Sequence, residues 1–168
     1  MKTVLLTGPA RGIGLAISKK LVNEGYCVVG VGRKTTPDFE KLVKGKFSGK
    51  AQFINYDLEK LEGIPELVNE VTKKYKSIYG LVNNAGIAFD GVLATMHSTE
   101  ISKILRVNLE SAIVLTKYAS RSMLINSVGR IINISSIIAA TGFNGLSVYA
   151  ASKAGIEGFT RSLSRELG

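Results

Sequence analysis

Tyr149 and Lys153 stand four residues apart at the head of a segment, YAASKAGIEGFTRSLSRELG, that reads as a helix over Tyr149 to Leu167 and runs to Gly168. That spacing puts both side chains on one helical face. A phenol with a solution pKa of about 10 is a slow acid or base at neutral pH. A lysine ammonium about 4 Å away, at an effective dielectric near 20, favours the phenolate by roughly 4 kcal/mol. The pair therefore suits a reaction in which a carbonyl or alcohol oxygen gains or loses a proton. In an arbitrary protein the same two residues would be side chains snorkelling at a surface, so their meaning rests on what surrounds them.

Three other stretches supply candidate ligand contacts. TGPARGIG follows an apolar run directly and opens a helical pattern, so Thr7, Gly8, Arg11, Gly12, Ile13 and Gly14 lie where a strand turns into a helix. Glycine there lets backbone N–H groups approach a pyrophosphate resting on the positive end of the helix. The spacing is G-x-x-x-G-x-G, and a tight turn would explain any one of the glycines. After the second apolar run comes VVGVGRK, with Gly32 where an NAD-selective site carries an acid and Arg33 and Lys34 just beyond it. Arginine offers a planar fork matched to phosphate, so Arg33, Lys34 and the nearby Arg11 favour NADP(H) over NAD. LVNNAGIAF places Asn83, Asn84, Ala85 and Gly86 past the fourth run, where small residues leave room for a nucleotide. Asp57, with Leu58 beside it, follows the third run and can accept a hydrogen bond from an adenine amine. A helix-capping Asp and a turn-forming Asn-Asn are the plainer readings of these residues.

The elements that must position these groups are legible as alternating strands and helices. Short Val-, Ile- and Leu-rich runs at Thr3 to Leu6, Cys27 to Val31, Gln52 to Tyr56, Tyr79 to Val82 and Arg130 to Ile134 read as strands covered on both faces. Segments of helical period lie at Gly12 to Asn23, Asp38 to Val43, Gly63 to Tyr75 and Thr99 to Asn126, the last bent or divided near Asn108. Pro65 suits a first helical turn, and Ser98 or Thr99 with Glu100 suits a helix start. Alternation of this kind predicts an α/β, Rossmann-like doubly wound parallel sheet, here a single dinucleotide-binding and catalytic domain spanning 1–168.

Composition agrees with one ordinary globular domain: 168 residues, 45% hydrophobic and 21% charged. The net charge of +9 is uneven. Residues 1–50 hold ten Lys or Arg against three Asp or Glu, and residues 51–168 hold twelve against ten. A local excess of that kind fits an anionic ligand near the N-terminal third better than nucleic acid, since no helix-turn-helix, zinc-ligand or aromatic RNA-binding pattern accompanies it. No metal site is read. The single cysteine, Cys27, excludes a disulfide framework; it reads as a small buried hydrophobe in a reducing, cytoplasmic compartment. No segment is apolar enough to read as a membrane span, and the N-terminal run is too short for a signal peptide.

Taken together, TGPARGIG, NNAG, Asn108 in RVNLE, the ISS at 134–136 and Y-x-x-x-K resemble the short-chain dehydrogenase/reductase family, most closely its carbonyl and 3-ketoacyl-(acyl carrier protein) reductases. Any one of these motifs is weak; five in order and at matching spacing are specific, and the similarity runs from residue 3 to 168. The resemblance implies a catalytic tetrad of Asn108, Ser136, Tyr149 and Lys153. Ser136 is preferred over Ser135 because it precedes Tyr149 by the family's usual thirteen residues. In that role Ser136 donates a hydrogen bond to the substrate oxygen, Lys153 also reaches the nicotinamide ribose, and Asn108 holds a water that replenishes the proton.

The resemblance further implies a homodimer or homotetramer formed through the helices at 110–125 and 149–167, where Ile156, Phe159, Leu163 and Leu167 make an apolar stripe. Relatives continue past the last helix into further strands and a substrate-covering segment that 1–168 lacks, which makes a longer parent protein the favoured expectation. A 3-ketoacyl thioester, with fatty acid biosynthesis as its setting, is the substrate class implied. Ser127 stands near where such reductases carry a basic docking residue for the carrier. The alternative function is a catalytically silent dinucleotide-binding or dimerising module.

Overall fold

The computed structural model describes residues 1–45, 47 and 49–168. Five strands, β1 (Thr3–Thr7), β2 (Cys27–Gly32), β3 (Ala51–Asn55), β4 (Gly80–Asn83) and β5 (Arg130–Asn133), form one sheet in the order β3-β2-β1-β4-β5. Every pairing is parallel: Leu5 lies beside Val29 on one side and Leu81 on the other, Gly32 beside Asn55, and Val82 beside Ile132. Parallel strands need crossovers. These are α1 (Gly12–Asn23), α2 (Pro37–Lys44), α3 (Ile64–Tyr75) and α4 (Ser98–Leu105) running on into α5 (Ser111–Ile125); α6 (Ile138–Thr141) and α7 (Ser147–Leu167) follow β5.

Side chains alternate across the central strands and so divide the core in two. On one face Leu5, Val29 and Val31 meet Ile64, Leu67 and Val68 of α3 and Leu115 of α5. On the other, Val4, Leu6 and Val28 meet Val22 of α1 and Phe39 and Leu42 of α2. Phe39, Leu5 and Leu6 are fully buried, each worth about 1.5–3 kcal/mol of hydrophobic stabilisation. Cys27 is buried and unpaired, as expected.

Element bounds shift by one or two residues from the sequence reading, as where α7 begins at Ser147 rather than Tyr149, and two of the differences have a clear cause. α2 begins at Pro37 rather than Asp38, because Thr36 caps it by accepting a hydrogen bond from the Phe39 N–H and Pro37 supplies the first turn. β5 is not covered on both faces: Ile131 packs into the α3/α5 core, whereas Ile132 is 53% exposed and Arg130 is exposed. The reason is its place at the sheet's edge, where β4 lies on one side only. The long helical segment divides where anticipated, at a π-helical turn over Arg106–Glu110 with Asn108 at its centre. No helix among the described residues is long and apolar enough to cross a membrane.

Candidate active site

At the carboxyl end of β1 the chain turns through Gly8, whose φ of +64° favours glycine, and enters α1. Gly14 in the first turn of α1 is required for contact: a Cβ there would lie 1.9 Å from the Gly8 carbonyl oxygen and 2.7 Å from Asn84 Nδ2. The glycine loop and the NNAG segment are thus stitched together. Asn84 Nδ2 donates to the carbonyls of Thr7 and Gly8, both at 3.0 Å. Thr7 Oγ1 accepts from the Asn84 and Ala85 N–H groups at 3.0 and 2.9 Å. Thr7 is buried and holds the NNAG backbone from beneath.

A cleft of about 890 Å³ opens above these strand ends, walled by residues 8–14, 31–36, 56–59 and 84–87 together with Val107. It gathers the glycine loop, Arg11, Arg33, Lys34, Asp57, Asn84, Ala85 and Gly86 in one place, as the sequence anticipates. Arg11, Arg33 and Lys34 are exposed at its basic rim, with Ile13 also 63% exposed there. Asp57 accepts a hydrogen bond from the Glu59 N–H at 3.1 Å, which fixes its carboxylate at the wall. Leu58 also lines the cleft, yet its side chain packs into the α3/α5 core, leaving its backbone as the part able to face a ligand.

The fit to a dinucleotide phosphate is visible in the chain's own atoms. Nothing lies within 4 Å of where a Cβ on Gly12 would stand at the start of α1, three cations ring the cleft, and the Thr35 hydroxyl at its wall is buried without a hydrogen-bond partner among the described residues. Among those residues no cluster of three or more His, Cys, Asp or Glu could hold a metal ion.

Gly86 leads from this cleft to the second group of residues: a Cβ on it would sit 3.6 Å from both Asn108 Oδ1 and Lys153 Nζ. Asn108 is 3% exposed, carried inward by the widened π turn, a distortion that recurs at functional sites. Its Oδ1 accepts from the Ile87 N–H at 2.8 Å, and its Nδ2 donates to the Ile87 carbonyl at 2.8 Å and to Ser152 Oγ at 3.1 Å. Ser152 in turn donates to the Tyr149 carbonyl at 2.7 Å, so the amide ties α7 to the loop after β4.

On α7 the buried residues Val148, Ser152 and Ile156 recur every four positions, which turns that face inward and takes Lys153 with it. Lys153 is 5% exposed, and burial pushes its ammonium below the ordinary lysine value of 10.5. It keeps a partner, donating to the Ile134 carbonyl at 2.7 Å, and lies 5.8 Å from the centre of the half-buried Tyr149 ring. The Ile134 carbonyl is what holds the ammonium where it is.

The two serines after β5 have different fates. Ser135 Oγ donates to Glu157 Oε1 at 2.6 Å, which commits its proton. Ser136 Oγ accepts from the Ile138 N–H at 3.3 Å, leaving its own O–H to donate elsewhere. Sequence reading overlooked Thr36, Asn55, Ser152 and the Ile134 carbonyl. Thr36-Pro37-Asp38 carries a helix-start signature that would have found the first; a backbone acceptor such as Ile134 leaves no mark on the sequence.

The chain matches the short chain dehydrogenase family over residues 2–168. It is 41% identical over 166 residues to the 3-oxoacyl-[acyl-carrier-protein] reductase FabG of Buchnera aphidicola subsp. Acyrthosiphon pisum, covering 99% of this chain and 67% of that protein. The FabG of Haemophilus influenzae is 36% identical, with 68% of its length covered. Among solved structures, a short-chain dehydrogenase from Streptomyces avermitilis superposes with a TM-score of 0.92 at 30% identity, covering 99% of this chain and 60% of that one. A metagenomic short-chain oxidoreductase in complex with NADP gives a TM-score of 0.92 at 31% identity, covering 99% and 75%. The chain thus spans about two thirds of the length of the curated relatives it matches. With its glycine loop, NNAG segment and Asn108-Ser136-Tyr149-Lys153 group brought to one end of a parallel sheet, this chain belongs to the short-chain dehydrogenase family.

Proposed function

We propose that the chain binds NADP(H) and interconverts a ketone and a secondary alcohol by hydride transfer, with Tyr149 as acid and base. The observation that carries this reading is the convergence of Asn108 and Lys153 on Gly86, where the basic-rimmed cleft meets the Tyr149 helix. Arg11, Arg33 and Lys34 at the rim suit a 2′-phosphate, and the relative in complex with NADP supports the same cofactor.

When bound, NADPH supplies the hydride that reaches the carbonyl carbon. The chain does the rest. The Ser136 O–H, not committed to Ile138, donates to the substrate oxygen as negative charge grows there. The Tyr149 phenol gives its proton to that oxygen, so the ketone gains one hydride and one proton and leaves as the alcohol. Lys153, fixed by Ile134, stabilises the resulting phenolate. Asn108 has both amide hydrogens engaged, by Ile87 and Ser152; a water relaying the next proton would have to use the remaining lone pair of Oδ1.

A 3-ketoacyl thioester on an acidic carrier protein is the proposed substrate, supported by the FabG relatives and the net charge of +9. Exposed Ile137 and Phe143 lie within the stretch between Ser136 and Tyr149, which bears no charge and suits an acyl chain. Assembly of two or four copies through α5 and α7 is proposed on the exposed Ile113, Leu124 and Ile125 and the half-buried Phe159, Leu163 and Leu167. The direct test is loss of NADPH absorbance with a panel of ketones that includes a 3-ketoacyl thioester. Oxidation of NADPH with at least one of them is the expected result; NADPH binding without turnover would instead favour a silent dinucleotide-binding module.

A further inference from the structure

The glycine loop and the segment after β2 hold the three cations of the cleft rim, with Arg11 on one and Arg33 and Lys34, more than twenty residues further along, on the other. Something must set the distance between them, because flexible exposed cations do not by themselves define a phosphate site. The structure shows a seat and two tethers. The seat is apolar: Gly30 of β2 has Pro9 and Phe39 so close that an added Cβ would lie 2.5 Å from Pro9 Cγ and 3.0 Å from Phe39 Cζ. The first tether is Thr36, whose hydroxyl donates to the Ala10 carbonyl at 2.7 Å across 26 residues while accepting from the Phe39 N–H at 3.4 Å. One side chain thereby caps α2 and grips the residue immediately before Arg11. The second tether is Asn55 of β3, whose Nδ2 donates to the Arg33 carbonyl at 3.0 Å. Between these fixed points lies Thr35, with its buried hydroxyl unpartnered.

We propose that Thr36 is the positioning residue of the 2′-phosphate site: by clamping the β2–α2 turn to the glycine loop it sets the spacing of Arg11 from Arg33 and Lys34, and so the preference for a 2′-phosphorylated nucleotide. This rests on the NADP(H) reading above. The two bonds of Thr36 predict different consequences. Loss of a cap loosens α2, which sits beside the site; loss of the bond to Ala10 separates the two cationic segments and weakens the 2′-phosphate contacts in particular.

Calorimetric binding of adenosine 2′,5′-bisphosphate and of 5′-AMP to the full chain tests it without turnover. Wild-type protein should prefer the bisphosphate. Thr36→Val, which keeps the branched shape and removes the hydroxyl, should lower that preference by about fivefold or more, the weight of roughly one hydrogen bond, with 5′-AMP binding little changed. Thr36→Ser, which restores the hydroxyl, should restore the preference. Equal weakening of both nucleotides, or an unchanged preference in Thr36→Val, overturns the proposal. Should Thr36→Val fail to fold, Asn55→Ala decides, since releasing the Arg33 carbonyl should lower the preference in the same way and an unchanged ratio overturns it. A wild type with no preference for the bisphosphate sinks the NADP(H) reading itself, and this inference with it.

Discussion

The Lys153 ammonium lies 2.7 Å from the carbonyl oxygen of Ile134, and the Ile134 N–H donates in turn to the Asn83 carbonyl at 3.0 Å. The helix that carries the proposed acid–base pair is therefore fastened to the end of β5, and through it to β4, by a charge-assisted bond from Lys153 that the Ser135–Glu157 bond accompanies. The bond also explains how a lysine of 5% exposure is tolerated beside Tyr149.

Replacing Lys153 by Met should lower kcat for ketone reduction by roughly a hundredfold, the low end of what losing support for a general acid costs. Steady-state rates at saturating NADPH check this. A rate within a few-fold of wild type would place the tuning charge elsewhere.

The same residue should leave a signature in stability. Burial holds Lys153 below 10.5 in the folded protein, so between that lowered value and 10.5 the unfolded chain binds more protons than the native one. Unfolding free energy must then rise with pH through this window, and the contribution is lost as pH falls through the folded value. Urea unfolding at pH 7 and pH 10 should show wild type gaining on Lys153→Met as pH rises; a constant difference would mean that the lysine is not desolvated.

Asn108→Leu should destabilise the fold by roughly 1–3 kcal/mol, because the Ile87 N–H and carbonyl both lose their partner. Asn108→Asp keeps the acceptor for the Ile87 N–H and loses the donors to Ile87 and Ser152, so its cost should fall between wild type and Leu. Urea midpoints rank the three proteins.

Gly14→Ala should abolish NADPH binding and lower the melting temperature. The added Cβ meets a backbone oxygen at 1.9 Å, which cannot swing aside as a side chain could. Gly12→Ala is the control for crowding: nothing lies within 4 Å of its Cβ, although its φ of +50° carries its own strain. Fluorescence titration with NADPH and thermal unfolding of both variants separate the two effects.

The sequence made the central strands, α1 and the break at Asn108 legible, because continuous buried runs, helical period and a helix interrupted by a polar residue are each local patterns. The residues of the proposed tetrad and cofactor loop were legible as residue types at fixed spacings. What escaped was settled by partners distant in the chain. Ile132 looks like any buried strand residue until β5 proves to lie at the edge. Lys153 meets a backbone carbonyl, which no residue type announces. Thr7 and Leu58 read as ligand contacts, and the structure adds what the residue types did not announce: the Thr7 hydroxyl braces the NNAG backbone, and the Leu58 side chain fills the core while the residue lines the cleft. The four residues of α6 sit in an uncharged run whose period is too short to read.

The assignment of Tyr149 as proton donor is tested most directly by NADPH oxidation with a ketone substrate in Tyr149→Phe, measured beside NADPH binding to the same protein. Binding should stay within about twofold of wild type while turnover falls by roughly a hundredfold to ten-thousandfold, the range for loss of a general acid. Turnover at the wild-type rate would contradict the assignment.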